Sequence, residues 1–274
     1  MKKTLIILSI FSLINLNAFE LNIDMGAGTY YTGMRGKLIY QKEFWKDSTA
    51  AIDHEQATSF YLWSNIEIDK RYWPNIRLEY SHINSIGKSF IHINTSSDAI
   101  NQLIQAIEEK LAPLDITINN KYYDSRLLQE TYEAYLYYDY FKQNNIALLS
   151  LGIGFRRFDF AYNATLINGL DFTDSGGDTI PVLFLKSHYG LKKESDGSQL
   201  SFEVDAKGFY YGQSQLYESA FKIDFLMPYN TSTTLGFEFG YKYSYINIQG
   251  EQADTVAGNM KTSGFMVGLV GHFQ

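Results

Sequence analysis

Thr233-Thr-Leu-Gly-Phe-Glu-Phe-Gly-Tyr-Lys-Tyr-Ser-Tyr-Ile-Asn-Ile248 alternates without a break. Leu235, Phe237, Phe239, Tyr241, Tyr243 and Tyr245 fall on one face, and Thr234, Gly236, Glu238, Gly240, Lys242 and Ser244 on the other. A period of two means a strand whose two faces meet different surroundings. The run is far longer than the roughly five or six residues usual in soluble sheets. Residues 199–212 repeat the design, with Leu200, Phe202, Val204, Ala206, Gly208 and Tyr210 opposite Ser201, Glu203, Asp205 and Lys207.

Working outward from these two, ten such segments are predicted, at 21–30, 58–69, 75–84, 127–141, 146–159, 179–191, 199–212, 215–226, 233–248 and 261–273. The connections at 70–74, 142–145, 192–198 and 227–232 are short. Those at 31–57, 85–126, 160–178 and 249–260 are long, with a tight turn near Gln213 as the exception. Short turns at one end and long loops at the other describe an all-β antiparallel transmembrane barrel of about ten strands, eight being the alternative if a terminal pair is misread. Closure has a physical reason: a sheet edge left open in hydrocarbon strands backbone groups at several kcal/mol each. Aromatic clusters at Tyr72 and Trp73, and at Tyr210, Tyr211, Tyr243 and Tyr245, suit the two interfaces.

Composition narrows the classes further. The 274 residues include 22 Tyr, 19 Phe and 3 Trp but no Cys, which excludes disulfides, thiolate metal sites, a thiol nucleophile and a lipid-modified cysteine. A formal charge of −7, from 23 basic and 30 acidic side chains, argues against a nucleic-acid partner. Lys2 and Lys3 precede an apolar run from Leu5 to Leu16, then Ala18, which has the parts of a cleaved signal peptide over residues 1–18, leaving 19–274 as one barrel domain. The run is too short to span a bilayer as a helix.

With the apolar faces toward lipid, the opposite faces line the interior, and they are charged. Basic candidates are Arg77, Arg156, Lys186, Lys207, Lys222 and Lys242; acidic ones are Glu67, Asp69, Glu79, Glu133, Asp139, Glu203, Asp205, Glu218, Asp224 and Glu238. A ten-stranded barrel is only slightly wider than one that side chains can fill, so a lumen closed by salt bridges is expected, with a narrow cation-preferring path as the alternative. In the loop 85–126, Ser97 and Asp98 open a helix whose Ile100, Leu103, Ile104, Ile107 and Leu111 share a face and which Pro113 stops. Stretches 90–93 and 114–118 are expected to flank it as a hairpin.

The signal peptide, Leu78-Glu-Tyr80 and the closing strand Gly264-Phe-Met-Val-Gly-Leu-Val-Gly-His-Phe273 resemble the small bacterial outer-membrane β-barrel proteins, and more narrowly an uncharacterised proteobacterial family of them. The resemblance implies an outer-membrane location, contact with outer-membrane lipid and lipopolysaccharide, and a C-terminal signal for the barrel-assembly machinery in Phe265, Val267, Leu269 and Phe273, although Gln274 follows. It implies no catalytic motif and no cofactor.

Two enzymatic patterns are incomplete. Ser81-His82-Ile-Asn84-Ser85 lacks the His-x-Ser spacing of a wall-mounted lipid hydrolase, and Asp53-His54 sits in a long loop with no second carboxylate pair. The acidic stretch 171–178 reads as a solvated turn around Gly176 and Gly177 rather than a calcium loop. The expectation is a non-enzymatic envelope barrel with a structural or surface-binding role, a small ion or solute channel being the alternative and a lipid hydrolase disfavoured.

Overall fold

The computed structural model describes residues 21–39, 48–68, 72–93, 98–111, 121–143, 147–165, 171–193, 197–211, 214–248 and 257–273. The predicted leader, Asp69, Ser97, Pro113, residues 114–118 and Gln274 lie outside them. Ten strands, β1 (Leu21–Ile39), β2 (Thr49–Ile68), β3 (Asn75–His92), β4 (Lys121–Gln143), β5 (Ala147–Thr165), β6 (Asp171–Lys193), β7 (Gln199–Tyr211), β8 (Ser214–Pro228), β9 (Thr233–Ile248) and β10 (Ala257–Phe273), pair with their sequence neighbours. β1 also pairs antiparallel with β10 and closes the barrel.

The register sets the dimensions. Following paired residues around the wall from Ile76 through Leu136, Ile153, Leu183, Gly208, Tyr217, Tyr245, Lys261, Arg35 and Asp53 returns to β3 at Lys88, a shear of 12 residues. With ordinary strand spacing and rise, that shear gives a tilt of about 40° and a backbone radius of about 10 Å.

The end with the short turns, where β1 begins and β10 finishes, is here the lower end. In its β8–β9 turn the amides of Tyr229 and Asn230 donate to the Thr233 carbonyl at 2.9 and 3.1 Å, and the Asn230 side chain accepts from the Ser232 amide at 2.9 Å. In the β6–β7 turn Gly197 has φ of 89°, which a Cβ would disfavour.

From the lower end upward, an outward apolar band runs right round the wall. On β9 it extends from Leu235 to Tyr245, about 25 Å along the barrel axis at this tilt. Tyr72, Trp73, Tyr140 and Tyr229 are exposed at its lower edge; Tyr31, Tyr132, Tyr210, Tyr217 and Tyr243 are exposed at its upper edge. Phe265, Val267 and Leu269 face outward within it.

Above the band the polarity inverts. Arg35, Lys37, Asp53, Lys88, Arg126 and Arg157 point outward, while Met34, Leu38, Ile52, Leu127, Phe158, Phe160 and Ile246 pack inside as one apolar cluster. Two of the stretches expected as long loops are therefore largely strand, β1 and β2 taking up most of 31–57 and β5 and β6 most of 160–178, while β3 and β4 shorten 85–126. Their alternation persists, but with the apolar face inward, so the lipid-facing pattern ends where the strands do not. Likewise 171–178 belongs to β6, paired with β5, and is not a turn; Gly176 and Gly177 lie in extended backbone. Phe90 and Ile91 pair with Tyr122 and Lys121.

The predicted helix, α1, spans Asp98–Leu111, with Asp98 in its first turn and Lys110 in its last, each favourable to the helix dipole. Its Ile104 packs against the upper apolar cluster, which places α1 over the barrel mouth.

Candidate functional site

Within the apolar band the bore is filled by acidic and basic side chains. A strand's period of two sends every second residue inward, and of the sixteen charges singled out above all but Asp69, which lies outside the described residues, take inward positions. Arg77, Glu133, Arg156, Lys186, Glu203, Asp205, Lys207, Lys222 and Glu238 are buried, while Glu79 and Lys242 are partly so.

They form two tiers. In the lower tier Arg77 reaches from β3 across to β7, donating to Asp205 at 2.9 Å and approaching Glu203 at 3.5 Å. Lys186 bonds Glu203 at 2.9 Å, and Lys222 contacts both Glu203 and, at 3.3 Å, Asp205. In the upper tier the Lys207 ammonium sits among Glu79, Glu133 and Glu218 at 2.6, 2.8 and 3.1 Å. Arg156 bridges Glu133 at 2.6 Å and Glu218 at 2.5 Å, and Lys242 adds a contact to Glu218 at 2.9 Å. Arg77 joins the tiers through Glu79 at 2.5 Å.

The carboxylates of Glu79, Glu133 and Glu218 have oxygens within 4.8 Å of one another, the spacing of a metal-binding set. Lys207, Arg156, Lys242 and Arg77 already pair with them. Two cavities remain among these side chains, about 30 and 20 Å³. Each has room for only one or two waters. Such waters would serve buried atoms that lack a protein partner, including Arg156 Nε and Asp205 Oδ1.

Aromatic side chains complete the filling, and these are residues that sequence reasoning missed. Tyr61 and Trp63 donate to Glu238 Oε1 at 2.7 and 3.0 Å, having crossed the bore from β2 to β9. They fit because the facing positions are glycines: a Cβ at Gly26 would stand 2.4 Å from Trp63, and one at Gly28 or Gly268 2.5 Å from the Tyr61 hydroxyl. Arg77 and Lys222 lie 5.4 and 5.0 Å from the Trp63 ring, in cation–π range. Tyr135 bonds Glu133 from the same strand. The inward glycines opposite an alternating Tyr61-Leu-Trp63 were the available signal.

Neither enzymatic pattern assembles. His82 faces outward, stacked on Phe60 at 5.5 Å and 3.6 Å from Glu130, while Ser81 and Ser85 are on the inward face. His54 is not in a loop but in β2, buried, with Ser85 and Ser125 hydroxyls each 2.8 Å from its two ring nitrogens. Ser89 continues the chain from Ser125 at 2.7 Å. Asp53 points to the other side of the wall, paired with Arg35 at 2.8 Å, so it cannot orient the imidazole. At the lower end Asp139 accepts from Ser150 at 2.7 Å and Asn75 at 3.1 Å. Phe273 pairs with Ile23 and Thr233, which completes the seam.

No protein-family model matches the sequence, and no curated protein matches it. Among solved structures, the outer membrane protease OmpT from Escherichia coli aligns over 93% of this chain and 98% of its own at 10% identity with a TM-score of 0.45. The translocator domain of the autotransporter NalP from Neisseria meningitidis aligns over 100% and 95% at 11% identity and a TM-score of 0.41. The Pseudomonas putida toluene transporter TodX aligns over 93% and 90% at 8% identity and a TM-score of 0.28. These likenesses carry no activity over to this chain.

Proposed function

We propose that this chain is an integral outer-membrane barrel with no catalytic activity, closed to solutes, whose role is structural or surface-binding. An outward apolar band about 25 Å tall with aromatic rims matches the lipid-facing surface of such barrels, and water would be a poor solvent for it. The observation that carries closure is the bore at the level of that band. Lys207 and Arg77 each reach two carboxylates across it and Arg156 reaches Glu218, and the residual cavities have room for only one or two waters. Above this ionic plug the apolar cluster and α1 form a second one. Export through a cleaved leader at residues 1–18 and assembly from the Phe273 end belong to the same reading.

The test is liposome swelling with the refolded barrel, after its gel mobility has been shown to shift on heating. Swelling no faster than protein-free vesicles, in small sugars and amino acids, is the expected result. Solute-dependent swelling would establish the alternative, a small cation-preferring channel, and a chain that does not enter lipid would overturn the membrane assignment.

A further inference from the structure

We infer that the outward surface of β10 and β1, just above the upper aromatic rim, binds the phosphate groups of an anionic lipid in the surrounding leaflet. The inference rests on the outer-membrane reading. Arg35 and Lys261 are directly opposite each other in the β1–β10 register, and both are exposed. Like charges at directly paired positions repel unless an anion or solvent screens them. Lys37, two residues further along the same face, makes a third cation.

The setting is asymmetric. Among the described residues, the outward positions of β8, β9, β10 and β1 from the top of the band upward are Gln215, Tyr245, Asn247, Asn259, Lys261, Ser263 and the β1 cations with Gly33 and Ile39, without one carboxylate. The nearest acids are Asp53 and Glu55 on β2, and Asp53 takes one side of Arg35 at 2.8 Å, leaving that guanidinium mostly exposed. Lys261 lies 5.6 Å from the Tyr245 ring, which holds it against the rim. Arg35 is four residues above Tyr31, about 10 Å along the axis at this tilt, which is headgroup depth when Tyr31 marks the interface. Three cations within reach of one another at that depth match a phosphorylated glycolipid headgroup, to which Arg and Lys donate charge-assisted hydrogen bonds.

The experiment is native mass spectrometry of the refolded barrel equilibrated with lipid A carrying both phosphates, with the same lipid dephosphorylated, and with competing inorganic phosphate. The wild type should retain the phosphorylated lipid. R35Q/K37Q/K261Q should bind it roughly a hundredfold more weakly while keeping its heat-shifted gel mobility. K88Q, a cation lost between Asp53 and Asp124, should bind as the wild type does. Equal retention by the triple variant, or of the dephosphorylated lipid, overturns the site. Displacement by millimolar inorganic phosphate overturns the lipid assignment and leaves a free-phosphate site. A wild type that enters bilayers but retains no lipid refutes this inference alone, whereas one that cannot enter them refutes the membrane reading as well.

Discussion

Lys207 on β7 donates to Glu133 on β4 at 2.8 Å across the middle of the bore, and the same ammonium holds Glu79 and Glu218. Buried ion pairs add little net stability, because desolvation offsets the attraction, but removing one partner leaves charge stranded. Lys207→Met should therefore cost about 3–5 kcal/mol. It also removes the one cation that all three carboxylates at metal-binding spacing share, leaving them only the contacts with Arg77, Arg156 and Lys242 on their other sides. Millimolar calcium should then recover part of the loss in the variant and do nothing for the wild type, read as the temperature of the heat-induced gel shift. A variant as stable as the wild type without calcium would show that Lys207 does not organise the upper tier.

Arg156 and Glu218 share a contact of 2.5 Å and should be energetically coupled. In a double-mutant cycle with Arg156→Met and Glu218→Gln, urea unfolding in lipid should return an interaction energy of about 0.5–3 kcal/mol. Strictly additive losses would mean that the pair is not formed in the membrane.

The band and the wall above it should respond oppositely to the same substitution. Phe239→Arg, in mid-band, should cost about 2–4 kcal/mol. Ile86, outward and 64% exposed but above the rim, should tolerate arginine within about 0.5 kcal/mol. Equal penalties would move the lipid boundary.

His54→Ala removes the acceptor and donor shared by Ser85 and Ser125 in the upper, apolar half of the barrel. Leaving those buried hydroxyls unsatisfied should cost about 1–3 kcal/mol each where no other partner is found. The effect should appear in hydrogen exchange as loss of protection confined to the upper halves of β2, β3 and β4. Spreading of that loss to Arg77 and its neighbours would mean the two plugs are one cooperative unit.

Strand 233–248 was legible to the residue because its outward face is continuously Leu, Phe and Tyr, a pattern that only a lipid-facing strand sustains. β1 was legible only to Tyr30. Beyond it the outward positions become Arg35 and Lys37 and the inward ones Met34 and Leu38, so the alternation continues with its sense reversed and resembles a polar loop. The inward orientation of the bore charges followed from the period of two. Their pairing did not: that Arg77 meets Asp205, or Lys207 meets Glu133, depends on the shear and on how far side chains reach across a bore about 10 Å in radius, which no local spacing encodes. Tyr61 and Trp63 escaped notice because aromatic residues in such a barrel are expected at the rims, and only the facing glycines reveal rings folded inward.

Closure of the bore is tested most directly by single-channel recording of the refolded wild-type barrel in a planar bilayer, with insertion verified independently by protease protection of the lower turns. The account predicts a protein that inserts and stays electrically silent at both polarities. Stable, reproducible conductance steps with cation selectivity that Glu133→Gln abolishes would contradict it.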